Sequence, residues 1–191
     1  DDQSYQIDTE EEIFILDKLL ERRIKNKINS LEGKLKLFVC DVDGVLTDGE
    51  IYYSPYGESL KKFNTRDGMG IELLRYQGIL TAFLTKENSP IVSKRAKKLN
   101  IDHVFMSAQN KIEVLQKALV DLNLQWEQVA FIGDDVNDTA LLEKVGFSAC
   151  PGDAIDANKV VADYVCRSKG GEGCVREVCD LILETIVGDG N

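Results

Sequence analysis

Short apolar runs alternate with amphipathic segments along most of the chain. The runs predict strands near residues 35–41, 79–85, 103–106, 128–133 and 163–166. The other segments carry apolar residues at helical spacing and predict helices near residues 67–77, 89–99, 110–122, 136–145 and 173–187. Because strands that alternate with helices form right-handed β-α-β units, the pattern predicts an α/β fold in which a parallel sheet lies between two layers of helices.

Two segments depart from this alternation. Residues 49–64 predict a β-hairpin, because Glu50–Tyr53 and Leu60–Phe63 flank the turn sequence Ser54-Pro55-Tyr56-Gly57. Apolar residues between Ile13 and Ile28 recur at near-helical spacing and predict a helix, which a polar linker follows. We therefore divide the chain into an N-terminal helical segment with its linker, residues 1–33, and a main domain, residues 34–191.

The composition narrows the range of functions. The chain has 191 residues and a formal net charge of −10, which argues against a general nucleic-acid binder or a binder of anionic membranes. It contains no run of 18 apolar residues and no signal-peptide pattern. We therefore expect a soluble, cytoplasmic protein that acts on a small molecule, with neither nucleic acid nor membrane as a partner.

Two carboxylates follow the first predicted strand. Asp41 and Asp43 lie two residues apart, and residues at positions i and i+2 of a strand share a face. Two like charges held together are unfavourable unless a cation or a bound proton offsets them, and oxygen ligands favour a hard ion such as Mg²⁺. Without further signals, a solvated acidic turn is the simpler interpretation of this pair.

Further polar side chains strengthen the magnesium interpretation. They follow the later apolar runs or begin a predicted helix, and they are Thr85, Lys111, Asp134, Asp135 and Asp138. The carboxyl ends of neighbouring parallel strands lie at one edge of a sheet, where open α/β sheets bind ligands. We therefore expect these groups and the first two carboxylates to converge on one ion.

These residues carry a resemblance to a known family. The chain resembles the haloacid dehalogenase superfamily of aspartate-nucleophile phosphotransferases. The four motifs of that superfamily are matched, in order, by Asp41–Val45, Thr85, Lys111 and Gly133–Asp138. The resemblance covers residues 34–187 and implies a Rossmann-like, three-layer α/β/α domain. It also implies that Asp41 attacks phosphorus and that Asp43 acts as general acid and general base.

The same resemblance implies roles for the remaining groups. Mg²⁺ would be held by the Asp41 side chain, the Asp43 backbone carbonyl and Asp134. Asp135 and Asp138 would support this site from outside the ligand set, although acidic residues that oppose a helix dipole explain these two equally well. Thr85 and Lys111 would bind the phosphoryl oxygens.

One branch of the superfamily is matched more closely. Its members are nearly capless, tetrameric phosphatases of keto-sugar acids, and the matching segments are Asp41–Asp48, Phe63–Ile71, Arg95–Leu99 and Lys169–Glu177. The resemblance implies a homotetramer in which hairpins assemble and one subunit covers its neighbour's site. The resemblance also suggests a mobile tail that enters an active site, formed by the segment with Gly170, Gly171 and Gly173. A plain loop before a helix is the alternative for this segment.

A smaller feature bears on the substrate. Octulosonate phosphatases of this branch commonly carry Thr-Gly-Arg after the strand, and their nonulosonate relatives carry Glu in place of that Arg, whereas this chain reads Thr85-Lys86-Glu87. The residues that the branch implies for substrate binding are Thr65, Arg66, Glu87, Arg95 and Lys98. Solvated charges on an amphipathic helix are the alternative for Arg95 and Lys98.

We therefore expect a Mg²⁺-dependent phosphatase of a nonulosonic acid 9-phosphate, such as N-acetylneuraminate 9-phosphate or its deaminated analogue. Two alternatives stay open: a 3-deoxy-manno-octulosonate 8-phosphate phosphatase, and a non-catalytic tetramerisation module. A phosphotransferase or mutase is disfavoured, because the small hairpin and the lack of a large cap favour access for water. Tyr5–Ile13 also resembles the closing segment of the nucleotidyltransferases that activate sialic acids with CTP. That likeness implies the phosphatase end of a bifunctional acylneuraminate cytidylyltransferase, with an ordinary docking helix as the alternative.

Overall fold

A six-stranded parallel sheet forms the centre of the molecule. The computed structural model describes residues 10–31 and 33–186. Its strands are β1 (Leu37–Cys40), β2 (Tyr52–Ser54), β3 (Gly57–Leu60), β4 (Leu80–Leu84), β5 (His103–Phe105), β6 (Val129–Ile132), β7 (Phe147–Cys150) and β8 (Tyr164–Val165). The sheet order is β5-β4-β1-β6-β7-β8, and β2 and β3 form a separate two-stranded sheet. The predicted α/β fold with a hairpin after the first strand is therefore confirmed.

Helices cover both faces of this sheet. They are α1 (Glu10–Asn29), α2 (Thr65–Tyr76), α3 (Pro90–Leu99), α4 (Lys111–Leu122), α5 (Thr139–Leu142), α6 (Asp156–Val161) and α7 (Cys174–Ile186). Side chains alternate across a strand, so Leu37 and Val39 of β1 join the apolar cluster that includes Leu115 of α4. Phe38 of β1 instead joins the cluster that includes Val178 of α7. The three layers therefore follow from one strand buried on both faces.

The hairpin differs in register from the prediction. Its second strand is Gly57–Leu60, whereas the sequence pattern predicted Leu60–Phe63. Ser54 pairs with Gly57 across a two-residue loop, and the Ser54 hydroxyl both accepts from the Tyr56 backbone N–H and donates to the Gly57 carbonyl. This tight turn fixes the pairing immediately after the loop, so Lys61 and Phe63 lie beyond the ladder.

Two elements between β6 and β8 were not predicted, namely β7 and α6. The helix predicted near residues 136–145 is also wrong in length, because α5 covers only Thr139–Leu142. The side chain of Asp138 accepts hydrogen bonds from the backbone N–H groups of Asp134 and Asp135. The acidic segment therefore closes into a turn, and the helix begins only after that turn.

The N-terminal helix packs on the domain with its second half only. Ile24 and Ile28 are buried in the cluster that also contains Ile182 of α7, whereas Phe14 and Leu19 are more than half exposed. Residues 5–9, which carry most of the likeness to a nucleotidyltransferase segment, lie outside the described residues. Within the described part of the chain, no helix combines the length and the apolar character needed to cross a bilayer.

Candidate active site

The carboxyl ends of β1, β4 and β6 lie side by side in the sheet. β1 pairs in parallel with β4 on one side and with β6 on the other. Asp41 directly follows β1 and its backbone N–H donates to the Ile132 carbonyl at 3.0 Å, while Thr85 directly follows β4. Asp134 comes two residues after the end of β6. The topology therefore brings these three groups to one edge, as the strand pattern predicted.

Lys111, the first residue of α4, joins two of the carboxylates. Its Nζ lies 2.8 Å from Asp41 Oδ2 and 2.7 Å from Asp138 Oδ1, and all three side chains are nearly inaccessible to solvent. Burial, reinforced by the charge of Asp138, raises the pKa of Asp41 well above its usual range, although Lys111 opposes the shift. Burial disfavours the charged amine of Lys111, but the two carboxylates outweigh burial and raise its pKa.

Asp138 is fully engaged by its own protein. One carboxylate oxygen binds Lys111, and the other accepts from the backbone N–H groups of Asp134 at 3.1 Å and Asp135 at 3.4 Å. Asp135 itself is exposed, and its side chain accepts from the Val136 N–H at 2.8 Å. Asp138 therefore organises the turn with one oxygen and holds Lys111 with the other.

The remaining carboxylates fit a hard divalent cation. Oxygens of Asp41, Asp134 and Asp138 lie within 4.8 Å of one another. Burial, together with the charge of Asp138, raises the pKa of Asp134 to about 7. Within the described part of the chain, no group donates a hydrogen bond to the buried Asp134 Oδ1. A cation at this edge would offset the repulsion among the three carboxylates, and the resemblance assigns its side-chain ligands to Asp41 and Asp134.

A glycine makes room for one of these carboxylates. Gly44 has a φ of +83°, and a Cβ atom built on it would lie 2.0 Å from Asp134 Oδ2. Any larger residue would therefore displace Asp134 as well as strain the backbone. The turn after β1 and the acidic segment after β6 touch at this point.

Asp43 occupies a different setting from the one predicted. β1 ends at Cys40, and both aspartates lie beyond it, where the Leu46 and Thr47 N–H groups donate back to the Val42 carbonyl. The expectation that Asp41 and Asp43 share a strand face is therefore wrong, because the chain turns before it reaches Asp43. Asp43 instead pairs with Lys61, a residue that the sequence pattern did not indicate.

Thr85 is buried with its backbone fixed on both sides. Its N–H donates to the Phe105 carbonyl, and its carbonyl accepts from the Ala108 N–H. Its hydroxyl accepts from the Glu87 N–H at 3.1 Å, which folds the next residues into a turn. Lys86 and Glu87 are consequently exposed beside this strand end.

The other predicted substrate-binding residues are more dispersed. Thr65 and Arg66 are exposed in the first turn of α2, and Lys98 is exposed on α3. Arg95 is half-buried: its Nη2 donates to the Asn64 carbonyl at 2.9 Å, and its guanidinium lies 5.2 Å from the centre of the Phe63 ring. Arg95 thus contacts the segment between the hairpin and α2 of its own chain.

The glycine-rich segment before α7 is a packed loop. Gly170 and Gly171 are buried, and a Cβ on Gly170 would lie 2.0 Å from the Gly44 carbonyl oxygen. The Gly171 N–H donates to the Val45 carbonyl at 2.9 Å. Of the two expectations for this segment, the structure shows the loop before a helix, which close backbone packing ties to the turn after β1; entry into a neighbour's site stays a prediction.

Comparison with known proteins agrees with this arrangement. A sequence profile described as haloacid dehalogenase-like hydrolase matches residues 74–178, which is more than half of the chain. A 3-deoxy-D-manno-octulosonate 8-phosphate phosphatase from Yersinia pestis is 44% identical over 151 residues, covering 79% of this chain and 81% of the relative. The chain belongs to the haloacid dehalogenase-like hydrolase family.

Solved structures of family members support the same placement. One is the phosphatase of the same name from Moraxella catarrhalis, in complex with a magnesium ion, a phosphate ion and a KDO molecule. It has a TM-score of 0.81 and 35% identity, covering 86% of this chain and 92% of that chain. Another is the cobalt-bound deoxy-D-mannose-octulosonate 8-phosphate phosphatase from Haemophilus influenzae, with a TM-score of 0.79 and 35% identity over 84% of this chain and 92% of that chain. The prediction of a phosphatase is confirmed at the level of the enzyme class.

Proposed function

We propose that this haloacid dehalogenase-like phosphatase hydrolyses the terminal phosphate monoester of an eight- or nine-carbon keto-sugar acid. The observation that carries the proposal is the buried pair of contacts from Lys111 to Asp41 and Asp138, beside the unpaired oxygen of Asp134. A nucleophile, a counter-charge and a place for a cation are thereby assembled at one strand edge. This is the set of groups that phosphoryl transfer requires.

In the proposed reaction, a carboxylate oxygen of Asp41 attacks phosphorus. The bond from phosphorus to the sugar oxygen breaks, and protonated Asp43 gives its proton to that oxygen as it departs. Asp43 then takes a proton from a water molecule, which attacks the aspartyl phosphate. The bond from phosphorus to Asp41 breaks, phosphate leaves, and both aspartates return to their starting states.

Thr85 and Lys111 would contact the phosphoryl oxygens in this scheme. Thr85 lies at the carboxyl end of the strand next to β1, and the ammonium of Lys111 already neutralises part of the charge on Asp41. Asp41, Asp134 and the Asp43 backbone carbonyl would hold the metal, for which we propose Mg²⁺. When bound, a hard divalent cation neutralises charge on the phosphoryl group and on the attacking carboxylate.

Relatives favour the eight-carbon substrate. Proteins named as 3-deoxy-D-manno-octulosonate 8-phosphate phosphatases match 78–79% of the chain at 42–44% identity. They support this substrate, the first alternative from the sequence, better than the nonulosonate 9-phosphate that we expected. We therefore propose 3-deoxy-manno-octulosonate 8-phosphate as the first substrate to test.

A nine-carbon substrate remains a second candidate because of Glu87. This residue is exposed directly beyond the Thr85 turn, where the resemblance places a substrate-contacting side chain. A carboxylate accepts hydrogen bonds from sugar hydroxyls, whereas an arginine pairs with a substrate carboxylate. The proposed link to a cytidylyltransferase belongs to this candidate, since both reactions would act on one nine-carbon sugar.

A homotetramer is part of the proposal and is supported by the hairpin surface. Tyr53 is 70% exposed, Tyr56 is 100% exposed and Leu60 is 63% exposed. A two-stranded hairpin is marginally stable by itself, and exposed aromatic side chains gain from burial against a partner. The non-catalytic alternative is disfavoured because Lys111 contacts Asp41, and an oxygen of Asp134 lies within 4.8 Å of an oxygen of Asp41.

Phosphate release tests this proposal directly. The substrates are 3-deoxy-manno-octulosonate 8-phosphate, N-acetylneuraminate 9-phosphate and its deaminated analogue, each with Mg²⁺ and each with EDTA. We expect metal-dependent turnover of at least one of them, lost in Asp41→Asn while the variant still folds, as judged by its far-UV circular dichroism and a cooperative unfolding transition. Turnover by Asp41→Asn at a tenth of the wild-type rate would remove the assignment of the nucleophile, and wild-type inactivity on all three would remove the proposed substrate class.

A further inference from the structure

Lys61, the residue after the hairpin, has a buried ammonium group. Its side chain has no solvent exposure, contacts Asp43 Oδ1 and lies 3.6 Å from Glu58 Oε1. A buried ammonium is costly unless it is paired, and here both partners are carboxylates. Lys61 has no place among the family motifs that the sequence revealed.

The two oxygens of Asp43 differ because of this contact. Oδ1 is held by Lys61, whereas Oδ2 is buried and has no hydrogen-bond partner among the residues that the structure describes. A carboxyl group that must pass a proton to one defined atom needs a fixed plane and one free oxygen. The contact with Lys61 fixes the plane of the Asp43 carboxyl group through Oδ1 and leaves Oδ2 available for the proton.

Lys61 is itself anchored from the opposite side. Glu58 Oε1 accepts a hydrogen bond from the Ser89 hydroxyl at 3.0 Å, and Ser89 is buried as the N-cap residue of α3. Ser89 lies four residues after Thr85, the residue at the phosphoryl-binding strand end. The contacts thus run from Asp43 through the hairpin to the loop that follows β4.

We propose that Lys61 is a positioning residue for Asp43. It holds Oδ1 so that Oδ2 exchanges the proton, first with the departing sugar oxygen and then with the attacking water. This inference rests on the proposed function, in which Asp43 is the general acid and base. Lys61 neither touches phosphorus nor carries the proton.

The leaving group gives a way to separate this role from a structural one. A sugar alkoxide is a poor leaving group and needs the proton of Asp43, whereas p-nitrophenolate departs without one. A misplaced Asp43 therefore slows the release of the sugar much more than the release of p-nitrophenolate. A general loss of folding or of Asp41 reactivity slows both.

The experiment compares Lys61→Met with Lys62→Met. Lys62 is the matched control, since its side chain is 64% exposed and pairs with Asp48 at 2.5 Å. First-turnover release of the leaving group is measured by rapid quench for the sugar-acid phosphate that wild type hydrolyses fastest, and by absorbance for p-nitrophenyl phosphate. We expect Lys61→Met to slow sugar release about 100-fold and nitrophenolate release less than about threefold, with KM nearly unchanged. Lys62→Met should match wild type on both.

Other results overturn the inference. Equal losses on both substrates, or a change in KM alone, would show that Lys61 supports the fold or binds substrate. If Lys61→Met does not fold, Glu58→Gln serves as the second variant, and we expect about a fivefold loss confined to the sugar substrate. No loss in that variant, or the same loss with both substrates, contradicts the assignment. If the wild-type enzyme releases nitrophenolate in an Asp41-dependent way but releases no sugar, the proposed function is overturned, and so is this role of Lys61. If Lys61→Met slows only the release of the sugar, the result supports the proposed function and the role of Lys61.

Discussion

The Asp134 carboxylate occupies the space that a side chain on Gly44 would need. A Cβ atom on Gly44 would lie 2.0 Å from Asp134 Oδ2 and 2.6 Å from its Cγ. Gly44 belongs to the turn after β1 and Asp134 to the segment after β6, so this contact sets how closely the two acidic segments approach. The spacing of Asp41 and Asp134 therefore depends on a residue without any functional group.

We expect Gly44→Ala to lower metal affinity and activity by about 100-fold, because Asp134 must move. Disturbing the groups that orient a metal ligand typically lowers metal affinity or activity by about 10- to 100-fold. The measurement is turnover as a function of Mg²⁺ concentration. Gly78→Ala is the matched control, since Gly78 has a similar φ of +76° but no atom within 4 Å of an added Cβ. Equal effects in both variants would mean that backbone strain, rather than displacement of Asp134, causes the loss.

Removal of the Lys111 ammonium tests the buried charges. In Lys111→Met, Asp41 and Asp138 lose their common partner inside the protein. We expect the free energy of unfolding to fall by about 3–5 kcal/mol in EDTA, the usual cost of breaking a buried pair. Urea unfolding gives the value, with the exposed Lys117 of the same helix changed to Met as the control. A loss below about 1 kcal/mol would show that water, and not Lys111, compensates the two carboxylates.

The main elements of the site could be predicted because each depends on a local pattern. Thr85 directly follows the mostly buried five-residue strand β4, and Asp41 directly follows the fully buried four-residue strand β1. A parallel sheet then brings such strand ends together without any need to know the side-chain contacts. The approximate positions of α2, α3, α4 and α7 followed from helical periodicity in the same way.

The missed features depend on contacts between distant segments. β7 has a single large apolar residue, and the residue that follows it inside this buried strand is Ser148. Its N–H and hydroxyl are satisfied by the carboxylate of Asp163, which lies 15 residues away. Lys61 likewise pairs with Asp43 across 18 residues, after the hairpin has folded back over the turn. A polar residue in such a place has no periodic signal, because its partner is defined only by the tertiary structure.

Asp67 should make stability depend on pH. Burial raises the pKa of this first-turn residue of α2 to about 6, although backbone N–H groups near the start of α7, including that of Arg176 at 2.8 Å, oppose the shift. Since the folded pKa exceeds the usual value of 3.8, the folded state favours the protonated form. The stability that the protonated Asp67 contributes is therefore fully present at pH values below 3.8 and is lost as the pH rises through about 6.

We expect the free energy of unfolding of Asp67→Asn, relative to that of wild type, to rise by about 1 kcal/mol from about pH 5 to about pH 7.5. The reason is that wild type loses the stability linked to protonated Asp67 over this range, whereas the amide does not ionise. Urea unfolding at the two pH values in EDTA measures the difference. Asp121→Asn, at an exposed position of α4, is the control and should show no such gain. If the difference between Asp67→Asn and wild type is constant with pH, Asp67 titrates at its ordinary value in the folded protein.

Glu87→Arg tests whether this exposed residue selects the substrate. An arginine pairs with a sugar carboxylate but cannot accept hydrogen bonds from the hydroxyl chain of a nine-carbon sugar. We compare kcat/KM for octulosonate 8-phosphate with kcat/KM for N-acetylneuraminate 9-phosphate. We expect the ratio of the first to the second to rise at least about tenfold, because the loss of a matched polar contact lowers kcat/KM more than the loss of an apolar contact does. Lys86→Ala, at the exposed neighbouring position, is the control and should leave the ratio within about threefold of wild type, because its loss removes only a solvent-screened charge. An unchanged ratio in Glu87→Arg, or the same change in Lys86→Ala, would assign substrate choice to other residues at this strand edge.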